Sequence, residues 1–208
     1  MHCTSRRTFL ALVLLPSFPA FGASDALDGI LIYRGFSVDM RAIAAARNKA
    51  AIEAATKKQL DIVADCGVKG DVLEFFRKQP IKVTPQQTSG HDNGGGSFTQ
   101  AGGVQINPDP RPTERPIVLH ELLHAFHAHY LPRGVDNPDV IQFYTNAVRG
   151  ELYPRTEYLM SNKAEFFAVT ASVYLAGFVA RIPNNRETLR ARQPVYYKWL
   201  GELFGVAK

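Results

Sequence analysis

The sequence predicts one α+β domain in which short strands come first and helices follow. The chain has 208 residues, 46% of them hydrophobic, which suits a single globular core and excludes a wholly disordered protein. Short extended segments separated by glycine and proline precede residue 112, and helical periodicity dominates after it. Because strands and helices are separated along the chain, the pattern favours α+β over alternating βαβ units.

Residues 1–22 are predicted to be an export signal. The segment Ser5–Leu10, with paired arginines before an aromatic residue and leucine, is typical of the twin-arginine signal. The apolar run ends at Pro16, too short for a membrane span of about 20 residues. Small residues at Ala20 and Gly22 predict cleavage after Gly22. We expect a bacterial protein exported to the periplasm or secreted, without stable membrane insertion afterwards; an ordinary secretory signal is the alternative.

Removal of the signal changes the charge and the cysteine count. The net charge of +5 falls by two to +3, because Arg6 and Arg7 leave with the signal. Cys3 leaves as well, so Cys66 has no internal disulfide partner. Its position before Gly67 predicts a small buried residue at a helix end. The small charge, without a dense basic stripe interleaved with aromatics, predicts no nucleic-acid partner.

The mature chain, residues 23–208, is expected to form a single domain. Helical periodicity predicts helices over 38–65, 71–78, 113–131 with Thr113 as cap, 139–148, about 162–175 and from 194 onwards. Extended segments are expected over 81–83, 97–100 and 104–107. The glycine-rich loop 89–96 is predicted to be a turn or a mobile cover. It lacks the G-K-[ST] ending of a phosphate-binding loop, which excludes that nucleotide site.

A metal-binding motif lies in the predicted helix 113–131. His120 and His124 are four residues apart, so their imidazoles share one helical face and can bind one ion. Neutral imidazole suits Zn²⁺, which needs a third protein ligand and an open position for water. Glu121 would accept a proton from that water. A histidine-rich surface helix is the alternative, since His127 and His129 follow, but burying these polar groups without a ligand carries a desolvation penalty.

The third ligand has several candidates. His127 shares the helical face of His124, but one straight helix cannot place three ligands tetrahedrally around an ion. The metzincin pattern is excluded, since His127 and Tyr130 occupy its glycine and third-ligand positions. Glu165 opens a strongly apolar helix, where it could also be a capping-box carboxylate with Asn162 as its partner. Its place downstream of the His120 motif favours Glu165 as the ligand.

Tyr158 lies seven residues before Glu165, which is two helical turns. If the helix extends back that far, the phenol and the carboxylate point the same way. A phenol over a zinc site can donate a hydrogen bond to the oxyanion that forms during hydrolysis.

Together these motifs resemble a known family. An H-E-x-x-H motif followed some forty residues later by Tyr-x6-Glu-Phe-Phe-Ala, here 158–168, resembles the catalytic domain of anthrax lethal factor and the related bacterial Pro-Pro endopeptidases. The similarity covers about residues 91–200. The resemblance implies zinc ligands at His120, His124 and Glu165, a general base at Glu121 and transition-state assistance from Tyr158.

The resemblance also implies a zincin-like fold, with a small twisted sheet over the active-site helix and a helical C-terminal lobe. In that family an edge strand lies antiparallel to an extended peptide or protein substrate. Residues 95–100 or 104–107 could supply the strand. We therefore expect a monomeric, exported Zn²⁺ endopeptidase. A zinc amidase acting on cell-envelope material and a non-catalytic zincin-like binding module are the alternatives, and His91, His127 and His129 have no assigned role.

Overall fold

The computed structural model of the protein describes residues 29–85, 95–108 and 115–208. These residues form a mixed α/β fold with one five-stranded sheet and seven α-helices. The strands are β1 Ile30–Tyr33, β2 Phe36–Asp39, β3 Ile81–Val83, β4 Gly95–Thr99 and β5 Gly103–Asn107. The helices are α1 Lys49–Asp65, α2 Gly70–Arg77, α3 Ile117–His129, α4 Pro138–Arg149, α5 Lys163–Ala176, α6 Arg186–Arg192 and α7 Pro194–Phe204. The predicted signal 1–22, His91 and the predicted Thr113 cap lie outside the described residues.

The sheet combines antiparallel and parallel pairs in the order β1-β2-β3-β5-β4. β1 and β2 form a hairpin whose turn residues, Arg34 and Gly35, both have positive φ. β2, β3 and β5 are parallel to one another, and β4 runs antiparallel to β5. A parallel neighbour needs a long crossover, and α1 and α2 supply it between β2 and β3. β4 is therefore an edge strand, whereas β5 is paired on both sides.

The structure corrects the helix predicted over 38–65. Val38 belongs to β2 and pairs with both Leu31 and Ile81, and the α-helix begins only at Lys49. Phe36 and Val38 are buried on one face of the strand. Two alternations in a four-residue strand are too few for the sequence pattern to distinguish from a helix. The strands and helices are thus less separated along the chain than predicted, although all five strands precede α3.

Helix α3 lies at the centre of the core and packs against both the sheet and other helices. Its buried apolar residues are Ile117, Val118, Leu119, Leu122, Leu123, Ala125 and Phe126. The Phe126 ring contacts Phe76 of α2, Phe167 of α5 and Phe204 of α7, with centroids 6.0, 6.4 and 5.5 Å away. Aromatic packing from three helices therefore fixes α3 in position.

The N-terminal end of α3 is held by a buried amide from α1. Gln59 donates from Nε2 to the carbonyl of Arg115 and accepts from the Val118 amide, at 2.9 and 3.2 Å. One side chain thus satisfies an otherwise unpaired amide at the helix start and ties α3 to α1.

One smaller expectation is confirmed at the end of α1. Cys66 is buried at the C-terminal cap of α1, where its thiol donates to the carbonyl of Val63 at 3.0 Å. Among the described residues, no helix combines the length and apolar character needed to cross a membrane.

Candidate metal centre

Helix α3 presents both motif histidines on one face, as their spacing predicts. The Nε2 atoms of His120 and His124 lie 3.1 Å apart, with the ring planes almost perpendicular. Both side chains are mostly buried beneath the cleft surface. Two ring nitrogens therefore converge on one point from consecutive helical turns.

Glu165 approaches the same point from α5. Its Oε2 atom lies 3.3 Å from Nε2 of His120 and 3.4 Å from Nε2 of His124. Asn162 caps α5 by accepting hydrogen bonds from the amides of Ala164 and Glu165. Asn162 thus has the predicted capping role, while the Glu165 carboxylate is directed at the histidines.

The three ligand atoms fit a tetrahedral zinc ion. Bonds of about 2.0–2.1 Å to a tetrahedral Zn²⁺ place neighbouring ligand atoms about 3.3 Å apart, close to the observed 3.1, 3.3 and 3.4 Å. Oε2 of Glu165 is buried and accepts no hydrogen bond, an arrangement that is costly unless a cation binds there. Within the described residues, His120, His124 and Glu165 are the one group able to hold a metal ion.

The electrostatics of the group favour a cation. Burial opposes the ionisation of Glu165, but the neighbouring His120 and His124 outweigh it and lower the pKa of the carboxyl. Burial lowers the pKa of His120, which favours the neutral imidazole that a metal requires. One carboxylate oxygen and two imidazole nitrogens form a donor set typical of zinc.

Glu121 lies between the candidate metal ligands and the edge strand β4. A β-carbon at Gly96 would come within 2.6 Å of Cγ and 2.9 Å of Oε1 of Glu121. A side chain at position 96 would force either the strand or the Glu121 carboxylate to shift. Burial raises the pKa of Glu121 to about 7, and the side chain is 6% exposed.

Tyr158 lies at the site but does not belong to α5. The condition stated above, that the helix of Glu165 extends back to Tyr158, is therefore not met. Tyr158 begins a separate 3-10 helix, Tyr158–Met160, and the chain turns at Ser161 and Asn162 before α5 starts. Its ring centroid lies 6.4 Å from that of His120, and the residue is 41% exposed. Burial and the nearby Glu165 carboxylate raise the pKa of the phenol to about 12, so the hydroxyl carries its proton at neutral pH.

Two cavities flank the candidate centre. One of about 230 Å³ lies towards the start of α3, and one of about 440 Å³ lies towards His124 and Glu165. Gly96, Glu121 and Tyr158 line both, so these three residues mark the boundary between them. The edge strand β4 thus borders the candidate centre, with a cavity on either side of Glu121.

His127 is a buried core residue outside the ligand group. It is 0% exposed, neither ring nitrogen has a hydrogen-bond partner, and the ring packs 5.0 Å from Phe167. Burial lowers its pKa to about 4. His129 is exposed and its ring contacts Phe98 at 5.6 Å. Neither residue belongs to the group that could hold a metal ion.

Two site residues were not found by sequence reasoning. Arg181 stacks over the Tyr158 ring at 4.0 Å from the loop after α5, and no motif surrounds it. Gly96 lies in the predicted glycine-rich loop 89–96. The repeated glycines indicated unusual backbone contacts, but they did not identify Glu121 as the residue in contact. The second glycine of β4 lies against Glu121 because the strand pairs with β5 there.

No family model, curated protein or solved structure matches this chain. The assignment of the site therefore depends on its own geometry.

We expect Glu165→Ala to abolish stoichiometric zinc binding, because it removes the one anionic ligand of the group. The measurement is zinc content by elemental analysis after dialysis at neutral pH. Glu187→Ala is the matched control, since Glu187 also lies in the first turn of a helix, α6, and is exposed. Full zinc retention by Glu165→Ala would contradict the assignment of Glu165 as a ligand and would make His127 the remaining candidate for the third ligand.

We expect acid to destabilise the protein partly through His127. Its pKa of about 4 lies below the unfolded value of about 6.5, so the unfolded chain binds the extra proton first. Its contribution to stability is present above pH 6.5 and falls by about 3 kcal/mol on reaching pH 4.

Urea unfolding from pH 7 to pH 4, with chelator present, measures this effect. His127→Phe should show a smaller loss of unfolding free energy than the wild type over that range. Phe167→Leu changes the packing around the same ring without a titratable group, so it should keep the wild-type pH slope. An unchanged slope in His127→Phe would show that His127 does not titrate as described.

Proposed function

We propose that this chain is an exported zinc-dependent endopeptidase with a zincin-like arrangement of strand and active-site helix. The observation that carries the proposal is the convergence of His120, His124 and Glu165 on one point. Glu121 and Tyr158 lie beside that point in the same cleft. The spacing of these residues in the sequence, with its resemblance to the lethal factor and Pro-Pro endopeptidase group, supports the same function.

Each residue has a definite task in peptide hydrolysis. Zinc held by the three ligands would acidify a water molecule and polarise the scissile carbonyl. Glu121, beside the ligands and with a raised pKa of about 7, accepts a proton from the water and returns it to the leaving amine. The positive charge of the ion favours the ionised carboxylate that this first step needs.

Tyr158 would stabilise the negative charge that develops on the carbonyl oxygen. Its phenol keeps its proton because its pKa is raised to about 12, so it donates rather than accepts. Tyr158 is partly exposed on the cleft, with its ring near His120, so a substrate bound there would contact the residue. A donor aimed at developing charge accelerates acyl transfer more than it aids substrate binding.

An extended peptide fits the cleft beside β4. In the sheet formed by the described residues, β4 has a neighbour only on its β5 side, so its other edge offers backbone donors and acceptors to a substrate strand. Cavities on both sides of Glu121 give room for substrate residues before and after the scissile bond. This arrangement favours cleavage within a chain over hydrolysis of a small amide.

We expect Glu121→Gln to retain zinc and fold but to lose hydrolysis by about 10²–10⁴-fold, because glutamine cannot accept the proton. Digestion of a diverse peptide library, read by mass spectrometry, measures the rate, and elemental analysis confirms the metal. Wild-type enzyme treated with chelator is the control for metal dependence. Cleavage at the wild-type rate by the zinc-loaded variant would remove Glu121 as the base.

We expect Tyr158→Phe to lower kcat by about 10²–10³-fold with little change in KM, since it removes a donor that acts in the transition state. The steady-state kinetics of a cleaved library peptide provide the measurement. Tyr130→Phe is the control, because Tyr130 donates to Asp71 on the surface, away from the cleft. An unchanged kcat in Tyr158→Phe would exclude the phenol from catalysis.

A further inference from the structure

The cavity of about 230 Å³ beside Glu121, here called the α5 cavity, has apolar walls and polar groups at defined points. Its apolar lining comes from the start of α3, the middle of α5 and the following loop: Pro116, Ile117, Val169, Val179 and Ala180. Its polar lining beyond the catalytic residues consists of Arg115, Ser172 and Arg181. A few placed polar groups within apolar walls are typical of a ligand pocket.

Ser172 supplies a buried hydroxyl without a partner. The residue is 2% exposed, and its Oγ atom makes no hydrogen bond. Thr170, on the same helix, satisfies its hydroxyl by donating to the carbonyl of Phe166 at 2.6 Å, the usual solution inside a helix. Ser172 is one of the residues that line the cavity. Its hydroxyl oxygen is buried in this rotamer, and rotation about χ1 to another staggered rotamer would direct it at a ligand there.

Arg181 supplies a positive charge. It stacks on the Tyr158 ring at 4.0 Å and, within the described ranges, forms no ion pair with a carboxylate. Arg115 lines the same cavity; burial and the charge of Arg181 both lower its pKa. The guanidinium group of Arg181 and the positive end of α3, which begins at Ile117, therefore favour an anion in this cavity.

The loop that carries Arg181 is held in place by its own hydrogen bonds. Arg186 donates from Nε to the carbonyl of Tyr174 and from Nη2 to that of Leu175, at 2.7 and 2.8 Å. The Val179 amide donates to the carbonyl of Asn184 at 2.7 Å. Arg181 thus extends from a preorganised loop, which reduces the entropy lost when it binds a ligand.

The position of the cavity along β4 identifies which part of a peptide reaches it. The cavity contacts Gly95 and Gly96, at the start of β4, whereas the second cavity contacts Ser97, Phe98 and Gln100. A substrate antiparallel to β4 runs from the Gln100 end towards Gly95. Its residues after the scissile bond therefore lie at the α5 cavity.

We propose that the α5 cavity binds a carboxylate of the substrate on the C-terminal side of the scissile bond, through Arg181 and the Ser172 hydroxyl. The carboxylate is either the side chain of an acidic residue directly after that bond or the terminal carboxylate of a short substrate. This inference deepens the proposed endopeptidase function and rests on it for the direction of the peptide. It makes the cavity a specificity site for acidic groups.

Matched peptides distinguish the two sources of the carboxylate. A peptide cleaved by the wild type is synthesised with Glu or Gln directly after the scissile bond, each with a long amidated C-terminal extension. A truncated version is prepared as the free acid and as the amide. We expect kcat/KM to be at least about tenfold higher for Glu over Gln, or for acid over amide. Ratios near one in both comparisons would overturn the proposal.

Substitutions test the residues assigned to the carboxylate. Arg181→Gln should bring the preferred ratio close to one, and Ser172→Ala should reduce it severalfold. The ratio of two substrates cancels any common effect on Tyr158 that follows from losing Arg181. Arg190→Gln, an exposed arginine on α6, is the matched control and should keep the wild-type ratio. An unchanged ratio in Arg181→Gln would contradict the assignment.

A binding measurement separates this proposal from the peptidase function. Fluorescein-labelled peptides of both pairs are titrated with zinc-loaded Glu121→Gln, and their anisotropy gives Kd. Tighter binding of the carboxylate peptide, lost in the double variant with Arg181→Gln, would support the cavity independently of any rate of hydrolysis. Hydrolysis without any carboxylate preference in rate or Kd would overturn the cavity assignment and leave the peptidase proposal standing.

Discussion

The packing of α5 against α3 is the contact on which the candidate centre depends. Each helix alone carries an incomplete ligand set, because His120 and His124 lie on α3 and Glu165 lies on α5. The apolar faces of the two helices, joined by the rings of Phe126 and Phe167, set the separation at which a carboxylate oxygen meets two imidazole nitrogens. Core packing is thus the cause of the 3.1–3.4 Å ligand triangle. A close-packed interior tolerates little displacement, so the packing of the core determines the positions of the three candidate ligand atoms.

The sheet imposes a second constraint, from the opposite side of the cleft. β4 passes over Glu121 so closely that Gly96 leaves no room for a side chain. The same close approach buries the carboxylate, and burial raises its pKa to about 7, near the value that suits a general base at neutral pH. A single backbone position therefore shapes the electrostatics of Glu121 and keeps β4 at the cleft edge. Strand β4, Glu121 and the candidate metal ligands form one structural unit.

Much of the site could be predicted because its signals are local. The four-residue spacing of His120 and His124 needs only helical geometry, and Asn162 before α5 is a local cap signal. The position of Tyr158 was harder to predict, because α5 does not extend back beyond Ser161 and Asn162. The position of Tyr158 depends instead on the 3-10 turn that precedes them. The strand containing Val38 was assigned to a helix, since its pairing partners, Leu31 and Ile81, include one more than 40 residues away. No sequence pattern identified Arg181, because its place in the site depends on its contact with Tyr158 and on the cavity beside it.

The sequence by itself determined which side chains could bind a metal, which helices carry them and that the fold combines helices with strands. Helical periodicity and residue chemistry are short-range properties, so a single segment is enough to express them. Only the tertiary structure decided which strand forms the sheet edge, how Glu165 joins the histidines and where the cavities lie. Those features arise from contacts between segments far apart in the chain, such as α3 with α5 and β3 with β5. Their geometry depends on the packing of the whole core, and a short stretch of sequence does not predict that packing.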